Sequence, residues 1–219
     1  MKWLRKHVSN IETENVSGKF RSKRFKLLLD KVDSLQKRNI KIIDIGGSNY
    51  FWNTLSKTHT INFQLTLLNK EKNHLLGFNS IVGDAADLSF INNNSFDVCF
   101  SNSVIEHLPT LKLQQKMASE IKRIAPKFFI QTPAFVFPLE PHFLFPFFHW
   151  LPLSIRIKLV QNFRLGWYEK QPNYSDAELL VKSIRIMRKK ELKKMFPGSQ
   201  IITEYMLFLP KSYIVTNIK

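Results

Sequence analysis

IIDIGGSNYFW, residues 42–52, places one acid, Asp44, inside a run of isoleucines and follows it with two adjacent glycines. Taken with the two residues before it, IKIIDI (40–45) is β-branched and nearly continuous in apolar character, the pattern of a strand covered on both faces. The glycines then admit two readings. One is a tight strand-to-helix turn that needs glycine for its backbone angles. The other is a loop whose bare backbone lies against a nucleotide-like ligand. A short helical piece, FWNTLSK (51–57), follows in either case.

Working outward, KFRSKRFKLLLDKVDSL (19–35) has helical spacing, with Phe20, Phe25, Leu28, Leu29, Val32 and Leu35 forming an apolar face and Lys/Arg filling much of the rest. Strands are predicted at FQLTLLN (63–69), NSIVGDA (79–85), FDVCFSN (96–102) and KFFIQTP (127–133), with a helix at 111–125. This alternation predicts an α/β fold with a Rossmann-like, doubly wound and mostly parallel sheet. KKELKKMF (189–196) reads as a last helix. QIITEYMLF (200–208) and KSYIVTN (211–217), joined by Leu209 and Pro210, complete seven strands as an antiparallel hairpin. From Pro133 to Lys189 the alternation stops, and a long proline- and aromatic-rich insertion carries an amphipathic helix at 154–163. A connection of that length is a lid or binding insertion. The expected organisation is a basic helical segment over 1–37 and one domain over 38–219, with 133–189 as the acceptor-binding insertion.

The chain's 219 residues suffice for one domain with a real core. The single cysteine, Cys99, excludes an internal disulfide and a cysteine-based zinc site, and fits a reducing cytoplasm. The N-terminal basic residues precede no apolar stretch, so no secretory signal is expected. FVFPLEPHFLFPFFHWLPL (135–153) is apolar, but its four prolines, glutamate and two histidines argue against membrane insertion. It reads either as a lid burying aromatics or as a surface meeting lipid, helped by the basic stretch after it. The net charge of +16 is uneven: residues 1–41 hold 12 Lys/Arg to 4 Asp/Glu, 155–195 hold 11 to 4, and 42–99 hold 3 to 5. The basic excess lies in the flanks and would suit an anionic substrate or a membrane surface.

In doubly wound folds ligands sit beyond the carboxyl ends of the strands. Those ends are Asp44 with Gly46 and Gly47, then Asn69, then Asp84, then Ser101 and Asn102. Asn69 follows Gly46 by 23 residues, close to the interval at which such sites place a ribose-binding group. An asparagine can accept and donate to a diol. The order IIDIGGS, LTLLN, then IVGDAADLSFINNNSFDVCFSNSVIEHL resembles the class I S-adenosylmethionine-dependent methyltransferases, over about residues 38–133. The resemblance implies that Asp44 organises the glycine loop and helps hold the methionine portion of S-adenosylmethionine. It further implies that Gly46, Gly47 and Ser48 approach the cofactor, that Asn69 binds ribose, that Asp84 and Ala85 flank adenine, and that Ser101 and Asn102 stand beside the methyl donor. Ser48 and Tyr50 stand where the family's pattern has glycine, so Tyr50 must point away from the site or cover it.

Methyl transfer needs alignment of an acceptor and exclusion of water, with no metal required, and a hydroxyl acceptor gains from a general base. Candidate bases are His107, in VIEHLP, and His142, in PLEPHF, where Glu140 can orient the imidazole and raise its pKa. The expected function is methyl transfer to a small-molecule or glycan-type acceptor, at oxygen, with an anionic or lipid-linked acceptor and peripheral contact at the inner membrane surface as the refinements. Two rivals remain: an RNA methyltransferase using the basic flanks, against which no RNA-binding module is found, and a non-catalytic scaffold with a degenerate methyltransferase fold.

Overall fold

The computed structural model describes residues 16–48, 51–53, 62–71 and 78–219. The predicted irregular start, the conformation of Tyr50 and the end of the FWNTLSK helix lie outside these residues. Helix α1 (Val16–Asp33) leads into a seven-stranded sheet of order β3-β2-β1-β4-β5-β9-β8. Strands β1 (Ile40–Ile45), β2 (Phe63–Asn69), β3 (Asn79–Val82), β4 (Val98–Asn102) and β5 (Lys127–Pro133) are parallel. The last two, β8 (Gln200–Met206) and β9 (Leu209–Thr216), are antiparallel to each other, and β9 is antiparallel to β5. The fold is therefore a Rossmann-like, mostly parallel α/β sheet with an antiparallel C-terminal hairpin. Chain order reverses between β1 and β4, and the crevice of such a sheet opens there.

Each face of the sheet is covered because each strand alternates its side chains. Phe25, Leu28 and Val32 of α1 pack with Trp52 against Ile42, Leu67, Phe100 and Phe129 on one face. On the other, α2 (Leu111–Ile124) and α5 (Lys189–Met195) bring Met117, Ile121, Leu192 and Met195 onto Ile43, Ile45, Cys99 and Ile130. Thr110 caps α2, its hydroxyl accepting from the Leu113 N–H at 3.2 Å.

The segment after β5 is folded, with a small core of its own. A two-stranded ribbon, β6 (Leu139–Glu140) with β7 (Phe145–Pro146), precedes α3 (Leu153–Asn162) and α4 (Tyr174–Lys182). Phe143, Phe148, Ile157, Val160, Ala177 and Val181 bury one another there. Helix α4 was not anticipated; Asn173 caps it, its side-chain oxygen accepting from the Ser175 N–H at 2.9 Å. The C-terminal hairpin turns at Leu207 and Phe208 (φ +48° and +67°), not at the expected Leu209 and Pro210, which belong to β9. Two positive φ angles match the twist of a two-residue hairpin turn, which proline cannot adopt.

Candidate active site

Asp44 answers the question posed by its neighbours. It is buried, and Trp52 donates its indole N–H to Oδ2 at 2.6 Å, while Oδ1 is buried with no hydrogen-bond partner. Burial pushes its pKa up to about 8, a rise that the Trp52 hydrogen bond opposes. The glycines after it are required by the space around them. Gly46 has φ +78°, and a Cβ there would stand 2.4 Å from Val104. A Cβ on Gly47 would stand 2.2 Å from the Asp44 carboxylate. The Asn69 amide donates to the Gly47 carbonyl at 2.8 Å and so braces the loop from β2.

Beside this loop lies a cavity of about 800 Å³, within the range of small-molecule sites. Of the cofactor residues expected from the sequence, Asp44, Gly46, Gly47, Ser48 and Asn102 line it. Asn69, Asp84, Ala85 and Ser101 do not. Asp84 uses Oδ1 to accept from the Ala86 N–H at 2.8 Å, with Lys70 at 3.7 Å from Oδ2. Ser101 is buried and its hydroxyl donates to the Ile45 carbonyl at 3.1 Å, tying β4 to β1.

The far side of the cavity is built by the insertion and by the turn after β4. Ser103, at φ +58°, reverses the chain into a 3-10 turn, Ile105–His107, which places Glu106 and His107 behind His142. Glu140 Oε1 lies 2.7 Å from His142 Nδ1, and Glu140 Oε2 accepts from the His142 and Phe143 N–H groups at 2.8 and 2.6 Å. Burial lowers the His142 pKa, but the Glu140 hydrogen bond and the charges of Glu140 and Glu106 outweigh it, so the net shift is upward. His107 meets His142 edge to face at 4.8 Å. Partial desolvation, with His142 close by, lowers its pKa, although the residue as a whole is exposed. His142 therefore lines the cavity and Glu140 orients it, whereas the candidate base His107 does not line the cavity and only packs against the His142 ring.

Sequence reasoning missed a basic wall. Arg21 and Arg24 of α1 and Lys211 of β9 all line the cavity. Arg24 is buried, holding Glu204 through Nη2 at 2.6 Å and Asn102 Oδ1 through Nη1 at 2.5 Å. Lys211 lies 4.2 Å from the Phe20 ring, and burial with the Arg24 charge lowers its pKa to about 8. In a helix whose sequence is basic throughout, nothing marked Arg24 as different from its solvated neighbours. The one available signal was its place four residues before Leu28, on the same helix face.

The profile of the family described as "Methyltransferase domain" matches residues 47–127. These span the glycine loop, β2 to β4 and the turn carrying Glu106 and His107. Over this stretch the chain is similar to methyltransferase domains. A SAM-dependent methyltransferase from Archaeoglobus fulgidus shares the fold at a TM-score of 0.54, with 13% identity over 89% of this chain and 93% of that one. The PH0226 protein from Pyrococcus horikoshii OT3 does so at 0.51, with 15% identity over 99% and 97%. Two uncharacterized Mycobacterium tuberculosis proteins are 34% identical over 68 residues, 31% of this chain, and the match spans 23% of their length.

The family's cofactor is S-adenosylmethionine, and the residues present fit it. The unpartnered Asp44 Oδ1 calls for a cationic or N–H donor, and Gly46 and Gly47 line the same cavity beside it.

Proposed function

We propose that the protein methylates a small, anionic, glycan-type acceptor at a hydroxyl oxygen. The observation that carries this reading is that the glycine loop and His142, held from behind by Glu140, open onto one cavity whose third wall is cationic. When bound, S-adenosylmethionine supplies an activated methyl group whose C–S bond breaks with the electron pair left on sulfur. Asp44 and the backbone of Gly46 and Gly47 hold the cofactor, with Asn69 bracing their loop. Arg21, Arg24 and Lys211 hold an anionic group of the acceptor, with Glu204 offsetting part of their charge. His142 presents Nε2 to the hydroxyl and takes its proton, while Glu140 fixes the ring and favours the imidazolium formed. The aromatic side chains Phe137 and Trp167 exclude water from the cavity. The insertion 133–189 is on this reading the acceptor-binding unit of the domain.

Among the described residues no helix is long and apolar enough to cross a membrane. Phe147 and Trp150, in contact at 5.2 Å and both about half exposed, favour a lipid-linked form of the acceptor as a second reading, with the enzyme acting from the cytoplasmic side of a bilayer.

The test is transfer of isotopically labelled methyl from S-adenosylmethionine to a panel of uronic acid, phosphosugar and neutral sugar acceptors, with RNA as a further arm. Turnover on anionic sugars that is lost in His142→Ala, with calorimetric binding of S-adenosylhomocysteine intact, supports the proposal. Turnover on RNA alone would favour the rival acceptor class. Absence of cofactor binding at millimolar ligand would leave only the scaffold.

A further inference from the structure

The corner formed by Glu106, His107 and His142 is over-provided for a single base. One potential ligand atom from each of the three lies within 4.8 Å of the others. Glu106 is fully buried, its Oε2 accepts from the Thr132 hydroxyl at 3.0 Å, and its Oε1 has no hydrogen-bond partner at all. A buried carboxylate oxygen without a donor costs free energy unless something positive meets it. Neither ring nitrogen of His107 has a hydrogen-bond partner among the described residues. His142 has its Nδ1 held by Glu140, which leaves Nε2 free; a carboxylate on the far ring nitrogen is the arrangement that orients a metal-binding imidazole and increases its basicity.

We propose that Glu106, His107 and His142 bind one divalent transition cation, such as Mn²⁺, Fe²⁺, Co²⁺ or Zn²⁺, with its open positions toward the cavity. From the sequence alone, methyl transfer is expected to need no metal. Two imidazoles and one carboxylate favour these ions over Mg²⁺ and Ca²⁺, which take oxygen ligands. Ligands at about 2.0–2.2 Å from a shared ion stand roughly 3–3.5 Å apart, so binding must draw the three atoms together by up to about 1–2 Å. Glu106 and His142 both line the cavity, so the remaining coordination positions face the acceptor's hydroxyl groups.

This deepens the proposed function and rests on its reading of the cavity as the acceptor site. With the ion bound, the His142 lone pair is committed to it. The acceptor hydroxyl is then acidified by coordination and releases its proton to water, in place of direct transfer to the imidazole. Chelation separates the two: turnover that persists in excess EDTA belongs to His142 acting alone.

The binding itself is measured on the full chain without cofactor or acceptor. Protein stripped with EDTA and titrated with Co²⁺ is expected to bind about one equivalent, with visible d–d absorption of a nitrogen- and oxygen-ligated ion. Glu106→Gln and His142→Ala are expected to weaken that binding at least about tenfold, and Glu140→Gln to weaken it by roughly 10–100-fold through loss of the orienting carboxylate. X-ray absorption on the unsubstituted Co²⁺-loaded protein should count two imidazoles, which needs no variant to fold. Failure to saturate with Co²⁺, a spectrum without imidazole, or undiminished binding by folded Glu106→Gln and His142→Ala chains overturns the site. A stoichiometric ion in a protein that methylates none of the acceptors would instead sink the proposed function and leave the metal site standing.

Discussion

Asp44 concentrates the physical tension of the site. Its carboxyl is buried, one oxygen is held by Trp52, and the other faces no donor. Its pKa is raised to about 8, so the stability linked to it is fully present below its unfolded value of about 4 and is lost as pH rises toward 8. The cofactor-free protein should therefore melt at lower temperature at pH 8 than at pH 5. Asp44→Asn should flatten that dependence, recovering on the order of a few kcal/mol at pH 8. The same substitution removes the charge that a cationic ligand needs. Calorimetry with S-adenosylmethionine should show affinity falling by about 10–100-fold, the worth of a charge-assisted hydrogen bond. Gly47 and Gly198 supply a matched pair for the loop. Gly47→Ala drives a methyl into the Asp44 carboxylate and should cost about 1–3 kcal/mol together with cofactor affinity. Gly198, at φ +75° with nothing within 4 Å, should cost about 1 kcal/mol as alanine and leave cofactor binding alone. Equal losses of cofactor affinity in both would show that the loop is not in contact with the ligand.

The C-terminal hairpin is where sequence and structure part most usefully. Its strands were legible because QIITEYM and SYIVT are β-branched and flanked by turn residues, but the turn was misplaced. Leu207 and Phe208, 83% and 97% exposed, are poor residues for positive φ and carry no turn signature. Replacing them by Asn-Gly should raise stability by about 1–2 kcal/mol in denaturant melts, because both positions then adopt their backbone angles without strain. If these apolar side chains meet lipid, the same variant should also lose binding to anionic vesicles. Unchanged vesicle binding would assign that role to Phe147 and Trp150 instead, or to neither. Helix α4 was hidden for a different reason: its nine residues bury only Ala177 and Val181, too few to set up a readable period. By contrast IKIIDI and KFFIQTP were readable because both faces of a central strand must be apolar, whatever covers them. His142 and Glu140 could be named as a pair from the motif PLEPHF. Glu106 could not be separated from His107 without knowing that the turn after β4 buries one and only edges the other.

Charge is the property that joins these parts. The net charge of +16 reads in the sequence as basic flanks suited to an anionic substrate or a membrane surface. The fold draws Arg21 and Arg24 from one flank and Lys211 from the far C-terminal strand onto a single wall of the cavity, 187 residues separating Arg24 from Lys211 along the chain. No local pattern announces such a wall, because it exists only once β9 has inserted beside β5. Lys211 tests what the wall is for. Arg24 is committed to Glu204 and Asn102, so truncating it would leave a buried carboxylate unpaired and confound binding with folding. Lys211 makes no hydrogen bond or ion pair through its ammonium among the described residues, and burial with the Arg24 charge lowers its pKa to about 8. Lys211→Met, which keeps the apolar contact with Phe20, should raise KM for an anionic acceptor about tenfold or more while S-adenosylhomocysteine affinity stays within about twofold. In the unsubstituted protein the same KM should climb as pH passes 8 and the ammonium is lost. A small anionic acceptor neutralised at this wall gives a shallow dependence of KM on salt, whereas an RNA spread over the basic flanks releases many counterions and gives a steep one. A steep slope that Lys211→Met leaves untouched would move the acceptor out of the cavity and onto the surface, and the glycan reading would fall with it.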